Sequence, residues 1–125
     1  MPRKPLIAVV DDDESIRDTT KDLLDSAGFR AATFTSAEDF LKSDRIDEVS
    51  FLIADMRMPG ISGLELHHRL AAAGTPIPTV LVTAYPEELA RARALTSGVL
   101  CYLTKPFTAE ELLGCVAAGL QRAGP

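Results

Sequence analysis

The chain has 125 residues, the size of one ordinary domain, and its 46% of hydrophobic residues is sufficient for a core. A net charge of −5 argues against a nucleic-acid-binding surface, and no apolar run approaches the ~20 residues of a membrane-spanning helix. The N-terminal segment MPRKPLIAVV lacks the apolar core and cleavage site of a signal peptide. We therefore expect a cytoplasmic protein that binds neither membrane nor nucleic acid through this domain.

The two cysteines, Cys101 and Cys115, lie within apolar stretches of the sequence. Their spacing does not match that of zinc ligands, and free cysteine is among the most buried residue types. The sequence therefore predicts two buried thiols in a reducing compartment.

Short apolar runs alternate with helical patterns along the whole chain, without a linker or repeat, which predicts one domain over residues 1–125. The predicted strands are Leu6–Val10, Ala31–Phe34, Val49–Ala54 (ending at Asp55), Thr79–Thr83 and Val99–Thr104. The predicted helices run from Ile16 to Gly28, from a Thr35–Glu38 capping box to Ser43, from Leu64 to Ala73 after a Ser62–Glu65 capping box, from Pro86 to Gly98, and onward from a Thr108–Glu111 capping box.

Five strand–helix units in sequence predict an α/β fold in which helices cover both faces of a parallel sheet. Functional sites in such folds lie at the carboxyl ends of the strands. The conspicuous polar residues all follow or end a predicted strand: Asp11, Asp12, Asp55, Thr83 and Lys105. We expect them to converge at one edge of the sheet.

These side chains are suited to phosphoryl chemistry. Three carboxylates, Asp11, Asp12 and Asp55, would repel one another unless a hard cation such as Mg²⁺ bound between them. Lys105 adds a compact positive charge, and Thr83 adds a hydroxyl donor. A carboxylate in this setting can attack phosphorus and form an aspartyl phosphate.

Four segments together strongly resemble the receiver domain of two-component response regulators, a chemotaxis-regulator-like family. They are VVDDDES (9–15), LIADMRMPGISG (52–63), VTAY (82–85) and YLTKPF (102–107). The Thr-Ala-Tyr-Pro and Lys-Pro-Phe segments are most similar to receivers of nitrogen-fixation-type transcriptional regulators. The resemblance covers essentially the whole chain and implies a flavodoxin-like, doubly wound (βα)5 fold with strand order 2-1-3-4-5.

The resemblance also implies the roles of individual residues in a phosphorelay. Asp55 would accept a phosphoryl group from a sensor histidine kinase or phosphotransfer protein. Asp11, Asp12, Asp55 and the backbone carbonyl of Arg57 would bind Mg²⁺. The domain would promote only its own phosphorylation and dephosphorylation, and would not otherwise be an enzyme.

A conformational switch is the second implication of the resemblance. Thr83 and Lys105 would contact the phosphoryl group, and the Lys105–Pro106 peptide would be cis. Thr83 would move on phosphorylation, Tyr102 would rotate inward, and the surface of helix 4, strand 5 and helix 5 would change. That surface would meet a downstream protein or a fused output domain, such as a helix-turn-helix DNA-binding domain, or would form a homodimer. A half-buried strand aromatic is the simpler interpretation of Tyr102.

Several other polar residues have simpler interpretations than a site. Asp13 and Glu14 favour the positive end of the first helix. His67 and His68 are adjacent, point in different directions on a helix, and are expected to be a solvated pair. Arg57 and Tyr85 each lie two residues beyond a site residue, and we expect their bulk to shield the phosphoryl group from water and set its lifetime.

Two other functions are compatible with parts of the sequence. The Asp11-x-Asp13 pattern resembles the first motif of haloacid-dehalogenase-type phosphatases, with Asp11 as nucleophile and Asp13 as general acid. That interpretation leaves Asp55 unexplained, and neither the later metal motif nor a substrate cap is visible. The other alternative is a receiver-like interaction module that is never phosphorylated.

Overall fold

A computed structural model describes residues 4–122, and the predicted range 1–125 extends beyond them at both ends. The strands are β1 (Leu6–Val10), β2 (Arg30–Phe34), β3 (Val49–Asp55), β4 (Thr79–Thr83) and β5 (Cys101–Thr104). The helices are α1 (Glu14–Ser26), α2 (Ala37–Lys42), α3 (Gly63–Ala72), α4 (Glu88–Thr96) and α5 (Ala109–Arg122), with a 3-10 turn at Ile46–Glu48. All strand pairs are parallel, and the order β2-β1-β3-β4-β5 confirms the predicted fold.

The sheet separates two apolar clusters, one on each face. In β1, Leu6, Ala8 and Val10 join one cluster, whereas Ile7 and Val9 join the other. The first cluster includes residues of α2, α3 and α4, and the second includes residues of α1 and α5. Because both faces are covered, β1 and β4 are buried along their whole length, as the apolar run of β1 and the β-branched run of β4 predict. Within residues 4–122, no helix is long and apolar enough to cross a membrane.

The start of α2 differs from the prediction. Its N-cap is Ser36, whose side chain accepts a hydrogen bond from the Asp39 amide, so the predicted Thr35–Glu38 capping box is wrong. Glu38 does not fold back on its own helix, because its carboxylate accepts the Ile61 amide instead. A tertiary contact has replaced a local one.

The other predicted caps are partly or fully present. Ser62 caps α3 by accepting from the Glu65 amide, while the Glu65 carboxylate accepts a hydrogen bond from Arg69. Thr108 and Glu111 form the complete reciprocal box, in which each backbone amide donates to the other side chain. These caps fix where α3 and α5 begin relative to the loops that precede them.

Helix α4 starts later than predicted and is weakly anchored. It begins after Glu87 rather than at Pro86, and the Glu87 side chain does not cap it, since that carboxylate pairs with Arg57. Ala94 is the one buried residue of α4. The helix therefore lies on the sheet with little apolar burial of its own.

The expectation of two free thiols is wrong, because Cys101 of β5 and Cys115 of α5 form a disulfide. The side chains of Cys101 and Leu103 lie against the cluster on the α5 side of the sheet. Cys115 packs against the same cluster beside the fully buried Val116. Strand alternation and the helical stripe thus bring the two sulfurs together, with Cα atoms 6.4 Å apart.

The predicted solvated histidine pair is wrong for His67, which is buried, and His68 alone is exposed. His67 Nδ1 lies 3.1 Å from Thr79 Oγ1, and Nε2 lies 3.1 Å from the carbonyl oxygen of Ser97. The imidazole therefore links α3 to the start of β4 and to the end of α4. It satisfies buried polar groups within the fold.

Candidate functional site

An acidic cluster forms where β1 and β3 end. Asp11 and Asp12 follow β1, Asp55 ends β3, and carboxylate oxygens of the three lie within 4.8 Å of one another. Asp11 is 1% exposed and Asp55 is 7% exposed, whereas Asp12 is open to solvent. Carboxylates this close and this buried need a compensating positive charge.

Lys105 supplies part of that compensation from the loop after β5. Its Nζ donates to Asp11 Oδ2 at 2.9 Å and to Asp55 Oδ2 at 3.3 Å. The Lys105 amide donates to the Thr83 carbonyl at 2.7 Å, which anchors the loop to the end of β4. The peptide between Lys105 and Pro106 is cis.

The ionisation of the cluster reflects burial and charge together. Burial raises the pKa of Asp55 above its usual value and the charge of Asp11 raises it further, while Lys105 and the Arg57 amide oppose both effects. For Lys105, burial disfavours the charged form, but its hydrogen bonds and charge interactions with Asp11 and Asp55 outweigh burial and raise the pKa of the ammonium. Lys105 therefore keeps its positive charge, whereas ionisation of Asp55 is unfavourable in the folded protein. A further cation would make that ionisation less unfavourable.

Backbone and side-chain donors hold the two buried carboxylates in place. Asp11 Oδ1 accepts from the Asp13 amide at 2.9 Å, and Asp55 Oδ1 accepts from the Arg57 amide at 3.3 Å. Arg17, in the first turns of α1, donates from Nη1 to the Asp11 carbonyl at 2.8 Å. The contact of Arg17 was not predicted from the sequence, although its position six residues after Asp11 on the adjoining helix was a usable indication.

Thr83 and Tyr102 lie on neighbouring strands, Thr83 at the end of β4 and Tyr102 on the edge strand β5. Thr83 is fully buried, and its hydroxyl oxygen accepts a hydrogen bond from the Tyr85 amide at 3.1 Å. It directly follows Val82, which is the register partner of Asp55 on β3. Tyr102 is half-buried on β5 and packs against the cluster on the α3 and α4 side.

The loops after β3 and β4 meet at the exposed mouth of the site. The Arg57 guanidinium forms an ion pair with Glu87 and lies 5.5 Å from the centre of the Tyr85 ring. The side chains of Arg57 and Glu87 are 57% and 59% exposed. The role of Glu87 was not foreseen, because a pair separated by 30 residues leaves no local pattern.

Glu38, which lies on α2, contacts the loop between β3 and α3. Its Oε2 accepts the Ile61 amide at 3.3 Å and lies against Gly60, whose φ of +82° favours glycine. Among the described residues, Glu38 Oε1 has no hydrogen-bond partner although it is buried. The loop that carries Arg57 is thus held by a neighbouring helix as well as by β3.

The donor set suits a hard divalent cation. It offers oxygen ligands only, two of the carboxylates are buried, and their like charges are incompletely balanced by Lys105. Mg²⁺ commonly binds through one or two carboxylates and keeps several waters. The exposed Asp12 side of the cluster leaves room for such waters.

The general acid required by a haloacid-dehalogenase-type site is absent from the cluster. Asp13 caps α1, and its Oδ1 accepts hydrogen bonds from the Ser15 and Ile16 amides at 2.9 and 3.3 Å. The carboxylate that joins Asp11 is instead Asp55, which that alternative does not use. Asp13 therefore has the capping role that the simpler interpretation gave it.

Parallel strands in this order, with an aspartate triad and a lysine at their carboxyl ends, define a class of signalling domain. The family model described as "Response regulator receiver domain" matches residues 7–117. The chain therefore belongs to the response regulator receiver family of two-component systems, in which the receiver serves as the phosphoacceptor. The phosphatase interpretation is wrong.

Individual relatives agree with this assignment. The chain is 35% identical to the transcriptional regulatory protein FixJ of Bradyrhizobium diazoefficiens, over all of this chain and 61% of that protein. It is 33% identical to the response regulator protein TmoT of Ectopseudomonas mendocina, over 97% of this chain and 55% of that protein. The chain thus spans little more than half the length of these curated relatives.

Solved structures show the same fold. A structure of the response regulator StyR superposes with a TM-score of 0.88 and 42% identity, over 97% of this chain and 61% of that one. The structure titled FixJ-N gives a TM-score of 0.84 and 26% identity, over 96% of both chains.

Proposed function

We propose that residues 1–125 form one receiver domain in which Asp55 accepts a phosphoryl group from the phosphohistidine of a sensor histidine kinase or phosphotransfer protein. The observation that carries the proposal is the placement of Asp55 within reach of both Asp11 and the Lys105 ammonium. Receiver domains are not generally classical enzymes, and here we infer catalysis only of the domain's own phosphorylation and dephosphorylation.

The transfer is a displacement at phosphorus. An Asp55 carboxylate oxygen attacks, the bond between phosphorus and the donor breaks, and the donor nitrogen or oxygen leaves with the electron pair. Lys105 is positioned to hold a transferred phosphoryl oxygen, and the Thr83 hydroxyl is free to donate to another. Positioning and charge neutralisation are the main requirements of this chemistry.

The proposed cofactor is Mg²⁺, with Asp11, Asp12, Asp55 and the backbone carbonyl of Arg57 as its protein ligands. Bound there, it would supply neutralisation of the negative charge shared by the carboxylates and the phosphoryl oxygens. The mutual repulsion of the carboxylates within 4.8 Å supports this assignment.

The output of the domain is proposed to pass through Thr83 and Tyr102 to the surface of α4, β5 and α5. Attraction of the Thr83 hydroxyl to a phosphoryl oxygen would favour a conformation with Tyr102 turned inward, which is a population shift between two states. The weak anchoring of α4, with Ala94 alone buried, suits a surface that rearranges.

We infer the partners from the relatives. These include transcriptional regulators, of which this chain spans little more than half, so we propose a fused output domain or a separate downstream protein. A helix-turn-helix DNA-binding domain fits the transcriptional relatives, and a homodimer through α4, β5 and α5 is a further proposal. The net charge of −5 fits a domain that does not itself bind nucleic acid, and we propose that the domain is cytoplasmic.

Intact mass spectrometry with a small phosphodonor tests the proposal. The protein is incubated with acetyl phosphate and Mg²⁺, beside the variants Asp55→Asn and Asp11→Asn and a matched control, Asp18→Asn, on the exposed face of α1. We expect one phosphoryl group on the unmodified protein and the control, none on Asp55→Asn, and much less on Asp11→Asn. Equal phosphorylation of Asp55→Asn would contradict the assignment.

The unphosphorylated interaction module is the remaining alternative. It predicts no phosphoryl gain from acetyl phosphate or from any phosphorylated histidine kinase domain, even at saturating Mg²⁺. Phosphorylation by either donor excludes it.

A further inference from the structure

The disulfide between Cys101 and Cys115 joins an edge strand to the helix that covers it. Cys101 begins β5, and Cys115 lies near the middle of α5, fourteen residues further along the chain. Both residues are only partly buried, and the chain contains no other cysteine. Neither cysteine is therefore fully enclosed, and the pair has no alternative partner within the chain.

The disulfide is not the sole attachment of α5 to the sheet. Helix α5 already packs on the sheet through Leu112 and Val116, which are both fully buried. A domain of 125 residues with two apolar clusters is also larger than those that depend on disulfides. In cytosolic proteins, a disulfide that is not structural is usually catalytic or redox-sensing.

We propose that Cys101 and Cys115 are a reversible thiol–disulfide site that exchanges with low-molecular-weight thiols and controls how tightly α5 is held to β5. The proposal rests on the cytoplasmic location proposed above, because that location favours exchange over a permanent bond. The placement of the two sulfurs supplies the pair that exchanges.

The exchange is balanced with a monothiol as reductant and its disulfide as oxidant. The thiolate of one small thiol attacks a protein sulfur, the Cys101–Cys115 bond breaks, and the other cysteine leaves as a thiolate that takes up a proton. A second small thiolate then attacks the small-molecule sulfur of the mixed disulfide. This forms the small-molecule disulfide and releases the cysteine that was first attacked as a thiolate, which takes up a proton. Oxidation runs through the same steps in reverse.

The location of the bond gives it a consequence for output. Cys101 directly precedes Tyr102 on β5, and β5 and α5 are two of the three elements of the proposed output surface. When oxidised, the bond limits movement of α5 against β5. When reduced, α5 is held by its apolar stripe alone and opens more readily.

A redox titration tests the exchange. The protein is equilibrated in buffers of different ratios of reduced to oxidised glutathione, quenched with acid, alkylated with N-ethylmaleimide and weighed intact. We expect two alkylated cysteines in reducing buffers, none in oxidising buffers, and a reversible transition in either direction. Thiols that stay alkylatable in oxidised glutathione, or a bond that excess reduced glutathione cannot open, would each overturn the proposal.

Hydrogen exchange tests the effect on α5. We expect α5 amides to exchange about tenfold faster or more in the reduced protein, while β1 amides change little. The variant Cys101→Ser/Cys115→Ser should resemble the reduced protein in both buffers. Equal α5 exchange in the two redox states would overturn the proposed control of α5. Neither experiment uses a phosphodonor, so failure here is distinct from failure of Asp55 phosphorylation.

Discussion

Lys105 donates hydrogen bonds from Nζ to Asp11 Oδ2 at 2.9 Å, joining residues that are 94 positions apart in the sequence. Because the same ammonium also reaches Asp55 at 3.3 Å, it is the positive centre of the carboxylate cluster. The loop carrying Lys105 is fixed to β4 by the hydrogen bond between the Lys105 amide and the Thr83 carbonyl. The charge is thus held at the site by backbone as well as side-chain contacts.

Replacing Lys105 with methionine should impair phosphorylation. The change keeps much of the side-chain volume but removes the cation that can hold a phosphoryl oxygen. We expect acetyl phosphate to phosphorylate Lys105→Met roughly 100- to 1,000-fold more slowly, the scale of losing one preorganised charge-stabilising donor. The exposed lysine control, Lys42→Met on α2, should react at the unmodified rate. A Lys105→Met rate within twofold of the control would contradict the role assigned to Lys105.

Neutralising Asp55 should stabilise the protein in the absence of divalent cations. Burial and the charge of Asp11 disfavour the Asp55 carboxylate in the folded state and raise its pKa. A carboxyl group whose pKa is raised by folding destabilises the folded protein once the pH rises above its unfolded pKa. At pH 7 the charged form of Asp55 therefore lowers the free energy of unfolding. We expect Asp55→Asn to raise the free energy of unfolding in urea titrations with chelator. A decrease in the free energy of unfolding would mean that the contact of Asp55 with Lys105 outweighs its burial and its repulsion from Asp11.

Mg²⁺ should stabilise the unmodified protein by binding only its folded state. The gain in unfolding free energy should rise logarithmically with Mg²⁺ concentration, reaching about 2.7 kcal/mol at 100 times the dissociation constant. Thermal melts with and without chelator measure the gain. Asp12→Asn should lose most of it while keeping the metal-free melting temperature, because Asp12 is exposed. A melting curve unchanged by Mg²⁺ would contradict the proposal that Mg²⁺ binds at this site.

The Arg57, Tyr85 and Glu87 contacts should set the phosphoryl lifetime. Together they occupy the mouth of the site, so replacing both Arg57 and Tyr85 with alanine should admit water and speed dephosphorylation. Glu87→Gln removes only the exposed ion pair, worth up to ~1 kcal/mol, so we expect at most about a fivefold effect. Dephosphorylation is followed by intact mass after removal of the donor. An unchanged rate in the double variant would refute shielding by these side chains.

Two glycines of α5 provide a matched test of its packing on the sheet. A Cβ at Gly119 would collide with the Phe51 ring and Leu100, whereas a Cβ at Gly114 would meet nothing within 4 Å. Gly119→Ala should therefore cost about 1–3 kcal/mol of unfolding free energy, and Gly114→Ala should add about 0.5–1 kcal/mol. Urea unfolding measures both, and equal effects would show that α5 does not approach β3 this closely.

The sequence predicted the fold well because its dominant patterns are local. Strands such as β1 and β4 are apolar on both faces, and their ends carry the acidic or hydroxyl residues that the sheet then brings together. What it missed depends on packing between elements. No local pattern shows that Cys101 and Cys115 share a face, or that His67 is enclosed by the start of β4 and the end of α4.

The other errors came from side chains that could bond either to their own helix or to a distant residue. Glu38 suits a capping box by spacing, yet its carboxylate is used by the Ile61 amide, and Ser36 becomes the cap. Glu87 similarly occupies the N-cap position of α4 without capping the helix, because its carboxylate forms an ion pair with Arg57. Choosing between a local and a distant partner requires the tertiary structure.

Chemical mapping of the phosphoryl group tests the central claim most directly. Borohydride reduces an aspartyl phosphate to homoserine, so peptide mass mapping after phosphorylation and reduction identifies the acceptor residue. We predict homoserine at position 55 alone, with position 11 unchanged. Homoserine at position 11, or at neither position in a protein that has gained a phosphoryl group, would contradict the assignment of Asp55.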